Sequence, residues 1–146
     1  MRAYADTGFL CSLYASDAHT NRAVARIESQ RLPLAFTWLH QLELRNALRL
    51  KIFRHESTRE QSTASLNAVL ADVAAGILMP AAPAPFDVST EAERLSAQWS
   101  SKLGTRALDI LHVAGALVLG VDEFLTFDTR QAALARAAGL RVPRLA

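Results

Sequence analysis

Cysteine, lysine and long hydrophobic runs are the scarce features of this sequence, which has one Cys and two Lys in 146 residues. Cys11 alone cannot form an internal disulfide, and we expect it to pack as a small apolar residue in a reducing cytosol. No apolar stretch reaches the roughly 20 residues that a membrane-spanning helix needs. Asp6 also follows Arg2 too closely for a secretory signal. The sequence therefore predicts a cytoplasmic protein with neither disulfides nor a membrane span.

Hydrophobic residues are abundant by contrast, at 51% of the chain. This content is far above that of a disordered protein. The length fits one domain, residues 1–146, with a sizeable hydrophobic core. No internal repeat divides the chain.

Arginine dominates the positive charge, with 14 of the 16 basic residues, although the formal net charge is only +2. A guanidinium favours bidentate contacts with phosphate or carboxylate groups. Three interpretations of the densest basic segment remain open: a solvated helix face, a phosphate-tracking edge for nucleic acid, or a surface that docks an acidic partner. The segment is opposed only by Glu56 and consists of Arg45, Arg49, Lys51, Arg54 and Arg59.

Apolar patterning predicts strands that alternate with helices. This alternation is typical of an α/β fold with a parallel sheet, in which ligand sites lie beyond the carboxyl ends of the strands. The Ala/Pro-rich segment 80–85 is predicted to be a loop, and Gly76, Gly120 and Gly139 are predicted to end helices. The predicted strands are 2–5, 34–37, 77–79, 123–127 and a fifth at 140–142. The predicted helices are 7–15, 18–30, 38–53, 57–75, 88–102, 106–119 and 129–138.

Asp109 is the most informative single residue, because it interrupts a mostly apolar stretch that is typical of a buried helix. Burying a lone carboxylate is unfavourable unless it is paired or binds a metal. Asp6, Glu43 and Asp128 stand in similar apolar surroundings. With no Cys or His cluster nearby, four such carboxylates indicate a site for a hard divalent cation such as Mg²⁺ or Mn²⁺.

The predicted fold can bring these four acids to one cleft. Asp6 and Asp128 each close a strand, Glu43 lies one or two turns into the helix after the second strand, and Asp109 lies in the first turn of the apolar helix. Carboxylates around one or two hard cations can hold the metal, orient a water and neutralise charge on a phosphodiester. The sequence leaves open whether one metal or two would bind.

Each acid also has a structural explanation. Asp6 and Asp128 could each cap the helix that follows. Glu43 could pair with Arg45, Arg49 or another cation.

Asp109 could be satisfied by Arg106, three residues earlier on the same helix face. His112 is interpreted as a core histidine with satisfied hydrogen bonds rather than as a substrate contact. Each structural explanation is plausible singly, but their coincidence at positions that one fold would bring together favours a shared site.

Four segments, in order, carry a resemblance to a known family: Asp6-Thr7, Leu42-Glu43-Leu44-Arg45-Asn46-Ala47-Leu48, Leu108-Asp109-Ile110-Leu111-His112-Val113-Ala114 and Thr126-Phe127-Asp128. Together they resemble the PIN-domain nucleases and, among those, the VapC-type toxins of bacterial toxin–antitoxin pairs. The resemblance extends from Ala3 to about Leu140. The chain departs from the family pattern at Gly8, where a small polar residue is common, and at Arg106-Ala107-Leu108.

The resemblance implies a three-layer α/β/α sandwich with a central parallel sheet of four to five strands. It implies that the family's acids, matched here by Asp6, Glu43, Asp109 and Asp128, bind Mg²⁺ or Mn²⁺ for RNA hydrolysis. Thr7 and Thr126 match hydroxyl positions that support the acids. VapC-type toxins are similar to one another in forming homodimers and in being neutralised by a cognate antitoxin.

The expected function is therefore a metal-dependent endoribonuclease that acts as a toxin, with Arg45, Arg49 and Arg106 as candidate contacts to RNA or antitoxin. One alternative is a catalytically inactive PIN-like domain that binds nucleic acid or a partner. A phosphatase with Asp6 as nucleophile is disfavoured, because such enzymes usually have a second Asp two residues on, where this chain has Gly8. Nothing in the sequence identifies the RNA, its cleavage sequence or the antitoxin.

Overall fold

A computed structural model describes residues 2–30 and 32–145 of the chain. The elements follow one another in the predicted order, with two or more helices between successive strands. The strands are β1 (Tyr4–Ala5), β2 (Leu34–Phe36), β3 (Leu78–Pro80) and β4 (Phe124–Leu125). The helices are α1 (Thr7–Tyr14), α2 (Thr20–Ser29), α3 (Trp38–Phe53), α4 (Arg59–Ala74), α5 (Pro85–Leu95), α6 (Ser101–Leu103), α7 (Ala107–Val118) and α8 (Thr129–Ala137), with a π-helical turn (Ser96–Ser100) before α6.

The strands form two parallel pairs, β2 with β3 and β1 with β4. A parallel bridge between Ala3 and Leu34 joins the two pairs, which gives the spatial order β3, β2, β1, β4. The fifth strand predicted at 140–142 is present only as a single parallel bridge, in which Arg141 pairs with Glu123. The parallel sheet is therefore confirmed, with β1 at its centre.

Side chains alternate between two cores on opposite faces of this sheet. Tyr4, Ala35 and Phe124 pack in a core with buried residues of α5, α7 and α8. Their neighbours Ala5 and Leu125 pack in a second core with buried residues of α1 to α4. Because successive side chains of a strand point to opposite faces, this division shows the three layers of an α/β/α sandwich.

Several local signals in the sequence have the structural effect they predict. Gly76, Gly120 and Gly139 follow helices and have φ values of 77°, 69° and 93°, which only glycine adopts readily. The helix predicted at 88–102 was wrong in two respects: α5 begins at Pro85, and the π-helical turn interrupts the range. The bounds of the other predicted helices, and of the four strands that are present, differ by at most two residues. Proline is well suited to the first position of a helix, where its missing N–H has no partner to lose.

Glu123, directly before β4, links this edge of the sheet to neighbouring elements through two arginines. It is 4% exposed and accepts hydrogen bonds from Arg26 at 2.5 Å and from Arg141 at 2.8 Å. These two contacts connect β4 to α2 and to the segment after α8. In the described part of the chain, no helix is both long and apolar enough to cross a bilayer.

Candidate active site

One open cleft of about 410 Å³ is lined by all four acids that the sequence singles out. Asp6 directly follows β1 at the centre of the sheet, and Asp128 lies three residues after the end of the neighbouring strand β4. Glu43 lies in α3, and Asp109 lies in the first turn of α7. The convergence expected from the order of strands and helices is therefore present, at the carboxyl ends of the strands.

Asp6 is the buried member of the four, at 8% exposure. Its Oδ1 accepts the backbone N–H of Phe9 at 2.8 Å and so caps α1. Its Oδ2 accepts the hydroxyl of Thr126 at 2.5 Å. Burial raises the pKa of Asp6, the two hydrogen bonds oppose that rise, and the charge of Asp128 adds to it.

Asp128 is exposed, and it also caps a helix. Its Oδ1 accepts the backbone N–H groups of Arg130 and Gln131, at 2.8 and 3.0 Å, at the start of α8. Its own N–H donates to the hydroxyl oxygen of Thr126 at 2.9 Å. The capping explanation and the shared-site explanation therefore hold together for Asp6 and Asp128, since a capping carboxylate can also face the cleft.

Glu43 is held by partners other than the arginines considered from sequence. Its Oε1 accepts the hydroxyl of Thr7 at 2.9 Å and is hydrogen-bonded to Nε2 of His112. Burial works to raise the pKa of Glu43, but the contacts with His112 and Thr7 outweigh it and hold the pKa below its usual range. Arg45 and Arg49 instead line a separate groove, with Leu66 and Leu70.

Asp109 is less buried than its apolar neighbours predict, with 22% of its side chain exposed. The adjacent Leu108 is 50% exposed. The first turn of α7 lies at the cleft mouth, and the buried residues of this helix begin at Ile110. Asp109 pairs with Arg106 at 3.5 Å, as one structural explanation proposed, but the Arg106 side chain is 76% exposed. Such exposed pairs contribute little to stability.

Two histidines in the cleft lining were not included in the predicted site. His112 is 3% exposed and fits its interpretation as a satisfied core histidine, yet it contacts Glu43 directly. Its position three residues after Asp109 on one helix face was the signal that could have placed it here. His19 stacks on Phe127 at 4.4 Å between ring centroids and bonds Arg22. No pattern in the sequence indicated that contact.

The donor set fits a hard cation in type, since four carboxylates face one cleft. Among the residues that the structure describes, no three Asp, Glu, His or Cys side chains are gathered tightly enough to hold a metal as they stand. The carboxylates are instead held on hydrogen-bond donors of the protein. Mg²⁺ usually keeps several of its waters, so it does not require a closely packed cage of protein ligands.

Comparisons with known proteins agree with this architecture. The PIN domain family matches residues 3–137. No curated protein matches the chain by sequence. Two similar solved structures are VapBC2 from Rickettsia felis bound to a DNA fragment from their promoter, and VapC20 from Mycobacterium tuberculosis, a sarcin–ricin loop cleaving toxin. A third is FitAcB from Neisseria gonorrhoeae.

These structural matches cover nearly the whole of each chain. VapBC2 has a TM-score of 0.70 at 14% identity, over 98% of each chain. VapC20 has a TM-score of 0.68 at 17% identity, over 95% of this chain and 96% of its own. FitAcB has a TM-score of 0.60 at 18% identity, over 96% and 95%. At these identities the matches establish a shared fold.

Proposed function

This chain belongs to the PIN domain family, and from that membership we propose that it is a metal-dependent endoribonuclease, the toxin of a toxin–antitoxin pair, acting as one domain over residues 1–146. The observation that carries the proposal is the convergence of Asp6, Glu43, Asp109 and Asp128 on one cleft. Structural caps and ion pairs alone would not require these acids, from four separate elements, to face the same space.

The four acids are the residues that would hold Mg²⁺ or Mn²⁺. When bound, the metal would supply positive charge against a scissile phosphodiester and lower the pKa of a water. Thr126 and Thr7 act on the acids themselves: Thr126 orients Asp6, and Thr7 orients Glu43. These hydrogen bonds hold the two acid side chains in place beforehand, so that less side-chain entropy would be lost when a metal binds.

RNA is the proposed substrate. Hydrolysis at an open cleft suits a single-stranded or looped segment, whose backbone can enter without a duplex partner. Arg106 lies at the cleft mouth with an exposed guanidinium, which is suited to contact a phosphate of that backbone. The description of VapC20 as a toxin that cleaves the sarcin–ricin loop supports this substrate class.

A cognate antitoxin is the proposed protein partner, in the cytoplasm, with a homodimer as the expected form of the toxin. The groove between α3 and α4 combines the apolar side chains Leu66 and Leu70 with the guanidinium groups of Arg45 and Arg49. This mixture suits a protein segment with apolar and acidic residues better than it suits an RNA backbone. We therefore assign Arg45 and Arg49 to the antitoxin and Arg106 to RNA.

The test is cleavage of structured RNA with Mn²⁺ by the native chain and by Asp6→Asn, Asp109→Asn and Asp128→Asn. Each substitution is expected to abolish cleavage, and EDTA should abolish it in the native chain. Asp122→Asn is the matched control, because Asp122 is exposed and lies outside the cleft lining. Full native activity in excess EDTA would overturn the metal-dependent function. RNA binding without cleavage under any metal would favour the inactive binding domain.

A further inference from the structure

A buried chain of hydrogen bonds runs from the centre of the sheet to the cleft. The hydroxyl of Tyr4, in β1, lies 2.7 Å from Nδ1 of His112, in α7. The opposite nitrogen of the same ring, Nε2, is bonded to Oε1 of Glu43, in α3. Tyr4 is 1% exposed and takes no part in the cleft lining. The chain therefore connects a core residue to one of the four acids.

The carboxylate fixes the direction of one of these bonds. An ionised carboxylate only accepts, so Nε2 of His112 donates to Glu43. In the neutral form of the ring, Nδ1 then accepts and Tyr4 donates. With Nδ1 of His112 as its partner, the buried hydroxyl of Tyr4 is not left unpaired.

The His112 ring is also confined by its neighbours. The rings of Tyr4 and His112 meet edge to face, with centroids 5.7 Å apart, and the ring of His40 lies 5.0 Å away. Gly115, one turn further along α7, faces the Tyr4 hydroxyl, and a Cβ there would lie in ordinary contact with it at 3.4 Å. The imidazole therefore has little freedom to turn away from Glu43.

We propose that Tyr4 and His112 are positioning residues for Glu43, with Tyr4 holding the imidazole ring in place and His112 turning Oε1 inward so that Oε2 is presented to the cleft. This inference rests on the proposed function, since it assigns the relay a purpose at the metal site. Both hydrogen bonds that Glu43 accepts in the described chain fall on Oε1. Loss of such an outer partner of a metal ligand typically weakens metal affinity by about 10- to 100-fold.

The test compares Tyr4→Phe with Tyr14→Phe in the full-length chain, by Mn²⁺ binding calorimetry and by metal-free melting. The Tyr14 hydroxyl also makes a hydrogen bond, to Asp72 at 2.6 Å, but lies outside the cleft. Tyr4→Phe should weaken Mn²⁺ affinity by about 10-fold or more, whereas Tyr14→Phe should leave it unchanged. Similar melting temperatures of the two variants would show that the effect on affinity is not a general loss of folding.

A second set of variants separates positioning from packing. His112→Gln should keep most of the affinity, because its amide nitrogen can donate where Nε2 does, and His112→Leu should lose it. In a Glu43→Gln background, Tyr4→Phe should weaken Mn²⁺ binding no further, since the relay acts through Glu43. A further loss of the same size in that background would contradict the relay.

A readout without metal completes the test. Imidazole ¹⁵N chemical shifts of the native chain should show His112 with its proton on Nε2, and Tyr4→Phe should shift the Nδ1 signal, because that nitrogen loses its hydrogen-bond donor. A native Nδ1–H tautomer would overturn the inference, as would native Mn²⁺ affinity in Tyr4→Phe. Absence of Mn²⁺ binding by the native chain would instead overturn the proposed function.

Discussion

Thr126 donates its hydroxyl proton to Oδ2 of Asp6 at 2.5 Å, across the parallel pair formed by β1 and β4. The hydroxyl oxygen of Thr126 in turn accepts the backbone N–H of Asp128 at 2.9 Å. One side chain therefore sets the distance between the two strand-end acids of the cleft. Because both acids also cap helices, their structural and proposed catalytic roles can be separated by choosing which atoms a substitution removes.

Asp128 is expected to tolerate Asn for folding but not for cleavage. Asn is as good a helix cap as Asp, whereas loss of the cap costs about 1 kcal/mol. Asp128→Asn should therefore unfold in urea like the native chain, and Asp128→Ala should be less stable by about that amount. Both should lose RNA cleavage. Thr58→Ala is the control, because Thr58 caps α4 outside the cleft and its loss should reduce stability alone. Native cleavage by Asp128→Asn would contradict the assignment.

Metal ions are expected to stabilise the folded chain, because the acids are brought together only in that state. Ligand at 100 times its dissociation constant adds about 2.7 kcal/mol to the unfolding free energy. Melting temperature should therefore rise with Mn²⁺ concentration in the native chain, and much less in Asp6→Asn. An unchanged melting temperature at millimolar Mn²⁺ would argue against a metal site.

Without metal, Asp109→Asn is expected to be neutral or stabilising. The substitution removes one negative charge from the cleft, and the exposed pair with Arg106 that it breaks contributes little. Urea unfolding in EDTA measures the difference from the native chain. A loss well above 1 kcal/mol, the upper end for exposed pairs, would show that Asp109 serves the fold through Arg106.

Arg45 and Arg49 are expected to affect partner binding and leave the metal response intact. Replacing both with Ala should weaken antitoxin binding and flatten its salt dependence, because two cations are removed from one groove. Arg54→Ala with Arg59→Ala makes the same charge change outside the groove lining and serves as the control. Binding of antitoxin and RNA equal to native at both low and high salt would mean that the pair is only a solvated face.

His40 is expected to make the fold sensitive to acid. It is fully buried, its Nε2 donates to the carbonyl oxygen of Ala5 at 2.7 Å, and its Nδ1 accepts the N–H of Thr37 at 3.0 Å. Burial lowers the pKa of His40 to about 3, with the neighbouring His112 contributing in the same direction. A ring that is neutral in the folded state gains a proton on unfolding. The contribution of neutral His40 to the unfolding free energy is therefore present in full above the pKa that His40 has in the unfolded chain, and it is lost as the pH falls from there towards 3.

The slope of that loss identifies the group. One proton corresponds to about 1.4 kcal/mol per pH unit. Between about pH 6 and pH 4, which lies between the unfolded and folded pKa values of His40, His40→Gln should reduce the pH slope of the unfolding free energy by up to that amount. Gln can still accept the N–H of Thr37 at this position of the helix. His55→Gln, at an exposed histidine, controls for the loss of one imidazole. An unchanged slope in His40→Gln would assign the acid sensitivity elsewhere.

The order of strands and helices could be predicted because its signals are local: apolar spacing, caps, and glycines such as Gly76 and Gly139. Convergence of the acids followed from that order, since parallel strands present their carboxyl ends together. The degree of burial of each acid could not be predicted from the sequence, because it depends on how the other elements pack around it. Asp109 stands among apolar residues in sequence, but its turn of α7 projects to the cleft mouth. The contact between His112 and Glu43 joins residues of two helices far apart in the chain, and no local signal specifies it.

The pairing of β1 with β4 also bears on the rates of folding and unfolding. The hydrogen bond between Thr126 and Asp6 joins residues 120 positions apart, and contacts that close such long loops tend to form late in folding. Interactions absent from the transition state change the unfolding rate rather than the folding rate. A cation held between these strand ends would therefore lengthen the lifetime of the folded chain without speeding its formation, which gives the metal-loaded protein a kinetic protection that its folding rate would not reveal.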